Sequence, residues 1–242
     1  MRIAVIGGTG TLGRHVVAEL EGRGHRVRTL SRSSAEHPVD LRTGAGLPEA
    51  LAGCAVVVDA SNDQSRQAAR TLVDGTRRLL EAEAAAGVGH HVCVSVLGCG
   101  RVPIGYFRTK ARQEAAVTEG PVPWTIVRAA QFHELVAATL GGPVLPLPRV
   151  LLQPVAAADA ARAIAEVAER PARRGWVEVA GPEIADARAL ARTWRSVTGR
   201  RTLTFPVPLP GRLGRELRAG ALTSARPDHR GNATFTAWLE RP

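Results

Sequence analysis

The chain opens with Arg2-Ile3-Ala4-Val5-Ile6-Gly7-Gly8-Thr9-Gly10-Thr11-Leu12-Gly13, a short apolar run that passes directly into a glycine-rich turn. Val16, Val17 and Leu20 then recur at helical spacing, and Gly22 ends the predicted helix. A strand, a glycine-rich turn and a helix in this order favour a dinucleotide-binding unit. The stretch therefore predicts the first βα unit of an α/β fold.

Two glycine spacings coincide in this turn. Gly8, Gly10 and Gly13 fit G-x-G-x-x-G, and Gly7, Gly10 and Gly13 fit G-x-x-G-x-x-G. Glycine permits a positive φ and a close backbone approach, while the helix N-terminus offers free N–H groups to a pyrophosphate. The alternative interpretation is a tight βα turn without a ligand.

The rest of the chain continues the alternation of strands and helices. The patterns predict strands at residues 2–6, 27–30, 39–41, 55–59, 91–96, 124–127 and 176–179. They predict helices at residues 64–86, 106–119, 159–169 and 186–197, the last two capped by Asp159 and Asp186. This order indicates a Rossmann-like, doubly wound parallel sheet with a small C-terminal substrate-side region. We expect one domain over residues 1–242, with a cofactor-binding core at 1–130 and a substrate-side and C-terminal region at 131–242.

Composition indicates an ordinary globular protein. Of the 242 residues, 45% are apolar and 22% are charged, and no apolar run approaches the roughly 18 residues of a membrane span. Cys54, Cys93 and Cys99 are odd in number and form no C-x-x-C, which argues against a disulfide framework. The histidines show no metal-ligand spacing, so no metal site is expected. These features predict a cytoplasmic protein without a membrane association.

The formal charge of +10 is concentrated toward the C-terminus. Residues 170–242 carry 14 basic and 6 acidic side chains, whereas residues 1–169 carry 18 and 16. A basic face attracts anionic ligands or partners. No aromatic-interleaved basic patch accompanies the charge, so a nucleic-acid partner is not expected.

The end of the second predicted strand distinguishes between the two nicotinamide dinucleotides. An NAD site usually places a carboxylate there for the ribose 2′-hydroxyl, but this chain reads Ser31-Arg32-Ser33-Ser34. A carboxylate would repel a 2′-phosphate, whereas the Arg32 guanidinium can bind it through two hydrogen bonds. Ser31, Ser33 and Arg14 are candidate helpers. The sequence therefore favours NADP(H) over NAD(H).

The chain contains a single tyrosine, Tyr106, and a single lysine, Lys110, four positions apart in a predicted helix. Side chains at this spacing share a helix face. An ammonium beside a phenol favours phenolate, so we expect Lys110 to lower the pKa of Tyr106. The pair then predicts a proton donor with a neighbouring group for the nicotinamide ribose. The alternative is an ordinary surface tyrosine and a solvated lysine.

Ser95 ends the fifth predicted strand. Ligands of open α/β sheets lie at the carboxyl ends of the strands, so its hydroxyl is a candidate to hold a substrate carbonyl oxygen. A serine that only satisfies backbone groups at a strand end is the alternative.

These residues together resemble the short-chain dehydrogenase/reductase superfamily, and more narrowly its atypical, NmrA-like NAD(P)-binding branch. The likeness to the superfamily lies in the glycine turn, Asp40, Ser95 and the Tyr106-Phe-Arg-Thr-Lys110 pattern. The likeness to the NmrA-like branch lies in three later runs: Pro123-Trp124-Thr125-Ile126-Val127-Arg128-Ala129-Ala130-Gln131-Phe132-His133, Gln153-Pro154-Val155 and Val179-Ala180-Gly181-Pro182-Glu183. The chain departs from the superfamily pattern after the fourth strand, where Asp59-Ala60-Ser61-Asn62 replaces the usual Asn-x-Ala-Gly.

The resemblance implies roles for individual residues. The dinucleotide loop would comprise Gly7, Thr9, Gly10, Thr11, Leu12 and Gly13. Ser31 and Arg32 would meet the 2′-phosphate, Asp40 would face the adenine, and Ala60 and Ser61 would line the adjoining loop. Tyr106, Lys110 and Ser95 would be catalytic, and Gln131, Phe132 and His133 would lie on the substrate side. For His133, packing in the core is the alternative, because the adjacent Glu134 cannot face it on a helix.

Three functions follow as hypotheses. The first is an NADPH-dependent oxidoreductase acting on a small organic carbonyl, quinone or activated alkene. The second is a non-catalytic NADP-binding redox sensor or regulator that acts through a protein partner. The third is a cofactor-using isomerase, epimerase or cyclase. The sequence does not identify the substrate.

Overall fold

A computed structural model describes residues 1–102, 104–200 and 202–241. The strands are β1 (Arg2–Ile6), β2 (Arg26–Leu30), β3 (Val56–Asp59), β4 (His90–Val96), β5 (Trp124–Ala129), β6 (Val144–Leu147), β7 (Leu151–Leu152), β8 (Gly175–Ala180), β9 (Ala185–Asp186), β10 (Leu203–Pro206) and β11 (His229–Arg230). The helices are α1 (Thr11–Gly22), α2 (Leu47–Leu51), α3 (Gly75–Ala85), α4 (Gly105–Glu119), α5 (His133–Leu140), α6 (Ala157–Glu169), α7 (Ala187–Thr198), α8 (Gly211–Arg218) and α9 (Phe235–Leu239).

Seven strands form one parallel sheet in the order β11-β8-β5-β4-β3-β1-β2. The chain leaves β1 toward β2 on one side and returns to β3 on the other side. This reversal is a topological switch point, and in open α/β sheets the crevice beyond such a point binds ligands. The predicted Rossmann-like parallel sheet is confirmed.

Helices cover both faces of the sheet. On one face α1 and α6 pack against each other, and Val16, Leu20 and Ile164 join the core formed by Ile3 and Val92. On the other face α2, α3 and α4 bury residues such as Leu51, Leu79 and Val117 against Val57 and Ile126. Successive strand residues point to opposite faces, so the near-continuous apolar strands supply both cores.

The third predicted strand, at residues 39–41, is absent. This segment makes only isolated bridges, in which Ser31 pairs with Pro38 and Asp40 pairs with Ala45. Pro38 has no N–H to donate to a ladder, and Gly44 turns the chain at a positive φ of 81°. The segment therefore forms a loop at the mouth of the switch point.

Two helix predictions are also corrected at their starts. The helix predicted over residues 64–86 starts later than expected, with a π-helical turn at Arg70–Asp74. Asp63, in the loop before it, accepts hydrogen bonds from Ser65 N and from Thr71 Oγ1 in this turn. Asp159 is not a cap, since it lies in the first turn of α6 and accepts hydrogen bonds from the backbone of residues 232 and 233. Asp186 does cap α7, by accepting a hydrogen bond from Arg188 N.

Residues beyond 130 extend the same sheet and add a smaller core. β8 and β11 continue the main sheet, while α5, α7 and α9 enclose a separate apolar cluster that includes Val136, Trp194 and Phe235. Trp238 and Leu239 pack against this cluster and anchor the C-terminal tail there. Within the described residues, the structure contains no helix with the length and apolar character to cross a membrane.

Candidate dinucleotide site

A cavity of about 1020 Å³, called here the main cavity, opens at the carboxyl ends of β1, β3, β4 and β5. Its walls include most of the predicted site residues: Gly7, Thr9, Gly10, Thr11, Leu12, Gly13, Ser31, Arg32, Asp40, Ala60, Ser61, Ser95, Tyr106, Lys110, Gln131 and Phe132. The switch point between β1 and β3 lies at its floor. The fold therefore brings residues from distant parts of the sequence into one cavity of ligand size.

The glycine turn lies against the loop that follows β3. Gly7 adopts a φ of 70°, and a Cβ on this residue would lie 2.8 Å from the carbonyl oxygen of Ala60. A Cβ on Gly13 would overlap the carbonyl oxygen of Gly7. Both positions therefore require glycine, one for its backbone conformation and one for the close contact between α1 and the turn.

The N-terminus of α1 points into the main cavity. Its first turn reads Thr11-Leu12-Gly13-Arg14, and Gly10 occupies the cap position. Backbone N–H groups at a helix start have no intrahelical acceptor and carry a partial positive charge. This end of the cavity is therefore suited to a pyrophosphate.

The end of β2 and the loop after it form the adjoining wall. Arg32 is exposed there, and the Ser31 and Ser33 hydroxyls lie 3.3 Å apart. Asp40 is half-buried and accepts a hydrogen bond of 2.9 Å from Arg42 N. Arg42 also lines the main cavity and donates to Gln67 Oε1 at 3.2 Å. This wall is thus a cationic region with one carboxylate.

Several buried polar atoms in the cavity wall have no partner within the protein. Ser61 Oγ and both polar side-chain atoms of Gln131 are buried, and none of them has a hydrogen-bond partner among the described residues. Unpaired buried polar groups are costly unless a ligand or water satisfies them. Together with the glycine turn, they show that the residues of the main cavity fit a dinucleotide.

Tyr106 and Lys110 lie on α4 and both face the main cavity. Lys110 is buried, and its Nζ donates to the carbonyl oxygen of Val94 at 2.7 Å and to Gln113 Oε1 at 2.6 Å. An ammonium has three N–H donors. No third acceptor for Lys110 lies among the described residues, which leaves one donor for a group in the cavity.

The pKa of Tyr106 differs from the expectation. Burial raises the pKa of Tyr106 above its ordinary value, and the nearby charge of Lys110 acts in the opposite direction without offsetting the burial. The charge of Lys110 therefore acts on the pKa of Tyr106 in the expected direction, but burial outweighs it and the net pKa is raised. The phenol keeps its proton throughout the neutral pH range.

The hydroxyl of Ser95, which was expected to hold a substrate oxygen, is hydrogen-bonded within the protein. Its hydroxyl donates to Glu114 Oε1 at 2.6 Å, and Arg128 binds the same carboxylate through Nε at 3.0 Å and Nη2 at 2.6 Å. Burial acts to raise the pKa of Glu114, but the hydrogen bonds from Arg128 and Ser95 outweigh it and hold the pKa below its usual value. An ionised carboxylate only accepts, so the Ser95 proton is used within the protein.

The three predicted substrate-side residues separate in the structure. Gln131 and Phe132 line the main cavity, whereas His133 does not. The His133 ring is buried, its Nε2 lies 3.0 Å from the carbonyl oxygen of Ala233, and it packs against Phe235 and Trp238. The placement of His133 on the substrate side is therefore corrected, because the C-terminal tail covers its ring.

Sequence reasoning missed three residues of this region. Gln113 and Glu114 follow Lys110 at the i+3 and i+4 positions of α4, so helical spacing alone would have placed them near it. Arg42 follows Asp40 by two positions in a loop, and no periodicity would have predicted that it faces the cavity.

Two further polar clusters lie on the α4 face of the sheet. A second cavity of about 520 Å³ is lined by Arg101, Arg128 and Arg226, of which Arg101 donates to two backbone carbonyls and Arg128 binds Glu114. Potential ligand atoms of Asp59, His91 and Cys93 lie within 4.8 Å of one another in the core. Both oxygens of Asp59 already accept hydrogen bonds, from Ser61 N and Gln113 Nε2. The expected absence of a metal remains a prediction.

Known proteins resemble this chain in sequence and in fold. The photosystem II assembly factor Ycf39 of Trieres chinensis is 30% identical over 161 residues, which cover 60% of this chain and 50% of that protein. The chain thus spans about half the length of this relative. Solved structures share the fold as well. The NADPH-dependent quinone oxidoreductase QOR2 of Escherichia coli, complexed with NADPH, has a TM-score of 0.82 at 19% identity and covers 98% of each chain.

A short-chain dehydrogenase/reductase superfamily protein from Agrobacterium tumefaciens with bound NAD has a TM-score of 0.77 at 21% identity, covering 99% of this chain and 95% of that one. These likenesses agree with the resemblance found in the motifs. The family described as NAD(P)H-binding matches residues 7–171, which is more than half of the 242 residues. The match includes the glycine turn, Tyr106 and Lys110, and the chain belongs to this NAD(P)H-binding family.

Proposed function

We propose that the protein is an NADP(H)-dependent oxidoreductase of the short-chain dehydrogenase/reductase type. Its substrate would be a small organic carbonyl compound, quinone or activated alkene. The observation that carries the proposal is the presence of Tyr106, Lys110 and the glycine turn in the walls of one cavity. A phenol and an ammonium next to a pyrophosphate site are the groups that a hydride-transfer reaction needs from the protein.

Each part of the cavity has a role in this proposal. The α1 N-terminus holds the pyrophosphate, Arg32 with Ser31 holds the 2′-phosphate, and the free N–H of Lys110 holds the nicotinamide ribose. NADPH supplies a hydride when it is bound. Tyr106 donates its proton to the oxygen or carbon atom that becomes negatively charged, so that one hydride and one proton reduce the substrate.

The protonated state of Tyr106 supports the direction of the reaction. Because burial raises the pKa of the phenol, its acid form persists at neutral pH. A group that must donate a proton during reduction acts from this form. Tyr106 therefore carries the proton that it would donate during reduction at neutral pH.

The test measures NADPH oxidation with a panel of aldehydes, ketones and quinones. Tyr106→Phe should remove at least about 99% of turnover, the usual scale of a lost acid, while the affinity for NADPH changes less than about threefold. Thr109→Val, on the same helix, is the control that should keep turnover. Undiminished turnover in Tyr106→Phe would contradict the role of Tyr106, and a native protein that does not bind NADPH would contradict the whole proposal.

A second candidate is a redox sensor that binds NADP(H) and acts through a protein partner. The relative named as an assembly factor favours this candidate. A switch must bind its two cofactor forms with different affinities. A difference of about a hundredfold between NADPH and NADP⁺, with no turnover in the substrate panel, would support the sensor over the enzyme.

A further inference from the structure

Lys110 has a position fixed from two sides. The carbonyl oxygen of Val94, on β4, accepts one of its N–H groups, and the side-chain oxygen of Gln113, one helical turn away, accepts another. Lys110 is only 2% exposed and Gln113 is fully buried. A long, flexible side chain is thereby held in one conformation, with one N–H left for the main cavity.

The orientation of the Gln113 amide follows from its neighbours. Its Nε2 donates to Asp59 Oδ2 at 3.1 Å and to Thr76 Oγ1 at 3.1 Å. The Thr76 hydroxyl donates its own proton to the carbonyl oxygen of Leu72, so its oxygen is free to accept. Because an ammonium cannot accept a hydrogen bond, the Gln113 oxygen must face Lys110, and the nitrogen is then directed to Asp59 and Thr76.

Asp59 connects this arrangement to the floor of the main cavity. Its second oxygen, Oδ1, accepts a hydrogen bond of 2.9 Å from Ser61 N, and Ser61 lines the cavity with an unpaired hydroxyl oxygen. One buried carboxylate at the end of β3 therefore fixes both the cavity floor and, through Gln113, the ammonium above it.

We propose that Gln113 is a positioning residue, which together with Asp59 fixes Lys110 so that its remaining N–H faces the bound dinucleotide. This inference rests on the proposed role of Lys110 in holding the nicotinamide ribose. Gln113 does not touch the ligand and acts only through Lys110. A purely structural role would instead make Gln113 a buried amide whose loss lowers stability and leaves Lys110 unchanged.

The single lysine of the chain allows a direct test by NMR spectroscopy. Protein labelled with ¹⁵N-lysine gives one side-chain ammonium signal, whose hydrogen exchange with water reports how firmly Lys110 is held. Gln113→Leu should accelerate this exchange by about tenfold or more, because a charge-assisted hydrogen bond is lost. It should also weaken NADPH binding by about tenfold, measured by calorimetry.

A matched control separates positioning from general stability. Gln153 is a second buried glutamine, with hydrogen bonds to Gly181 O and Ser224 N, so Gln153→Leu is the matched control. It should lower the melting temperature but leave the exchange of Lys110 and the affinity for NADPH within about twofold of native.

Asp59→Asn provides a test if Gln113→Leu does not fold. Its amide can accept from Ser61 N and then turns an NH₂ group toward Gln113, which draws the Gln113 oxygen away from Lys110. Faster exchange in this variant supports the proposal. Native exchange in Gln113→Leu, or in Asp59→Asn, would overturn it. The exchange measurement needs no cofactor, so it decides the role of Gln113 even if the native protein does not bind NADPH.

Discussion

Tyr106 lies in surroundings that hold its phenol in the protonated form. Burial is the largest influence on its pKa, and the charge of Lys110 limits the increase. Lys110→Met should therefore raise the pKa of Tyr106 further, because a neighbouring positive charge is lost. Tyr106 is the single tyrosine, so ¹³Cζ-tyrosine labelling gives one signal to titrate.

The matched control for this titration is Arg112→Met. Arg112 is a cation on the same helix, but it is exposed and does not line the main cavity. Its loss should leave the pKa of Tyr106 unchanged. An equal shift in both variants would mean that the general positive charge of the protein, and not the nearby charge of Lys110, limits the pKa of Tyr106.

His90 makes the stability of the protein dependent on pH. Its ring is buried, and Nε2 lies 2.9 Å from Thr125 Oγ1. Burial, together with the charge of the neighbouring His91, lowers the pKa of His90 from 6.5 to about 4. A lowered pKa contributes stability above the unfolded value of 6.5, and this contribution is lost as the pH falls toward about 4.

Between pH 7 and pH 4.5 the native protein should therefore lose about 2 kcal/mol more stability than His90→Gln does. Chemical denaturation at the two pH values measures the difference. His15 is exposed, so His15→Gln should keep the full pH dependence of the native protein. A pH dependence that is the same in all three proteins would exclude His90 as its source.

Single residues could be predicted from the sequence where their identity alone was informative. Tyr106 and Lys110 are unique in the chain, and Arg32 stands where an NAD site has a carboxylate. The pKa of Tyr106 could not be predicted in the same way, because it depends on burial by residues far away in the chain. The hydrogen-bond partner of Ser95 could not be predicted for a similar reason, since only the folded helix brings Glu114 to within 2.6 Å of its hydroxyl.

The helix α4 connects the main cavity to the sheet through polar contacts. Its buried face carries Lys110, Gln113 and Glu114, and Glu114 forms a bidentate pair with Arg128 that is largely shielded from water. Loss of one partner leaves a buried charge without compensation. Glu114→Gln should therefore lower the free energy of unfolding by about 3 kcal/mol.

Urea denaturation at pH 7 measures this change. Glu119 lies exposed at the end of the same helix, and Glu119→Gln should cost less than about 0.5 kcal/mol. If both substitutions have the same small effect, the pair between Glu114 and Arg128 does not stabilise the attachment of α4.

Among the secondary-structure elements, the strongly periodic ones could be predicted, and those determined by tertiary contacts could not. β1, β4 and β5 are short apolar runs of the kind that forms buried strands. Their observed bounds agree with the predicted ones within one or two residues. The strand expected at 39–41 does not form, because Pro38 and the glycine turns after it prevent continuous hydrogen bonding to a neighbouring strand. The short helix α5 was missed, because its apolar face becomes clear only against Trp194 and Phe235.

The topology of the sheet determines where the main cavity lies and which side chains line it. The switch point between β1 and β3 brings together the glycine turn, Ser61 and the N-terminal part of α4, although these segments are up to about a hundred residues apart in sequence. Parallel strands need crossover helices, and these helices bring Lys110 and Tyr106 over the strand ends. The sequence pattern predicted this architecture, whereas the shape of the substrate end depends on loops without any period.

The central claim is that the main cavity binds NADP(H) with its 2′-phosphate on Arg32. Calorimetric titration of the native protein and Arg32→Gln with NADPH and NADH tests it most directly. We predict one NADPH per chain, bound at least about tenfold more tightly than NADH, and a preference that disappears in Arg32→Gln because a charge-assisted pair is lost. Arg26→Gln, at the exposed start of the preceding strand β2, should keep the preference. No binding of either nucleotide, or equal binding of both by the native protein, would contradict the claim.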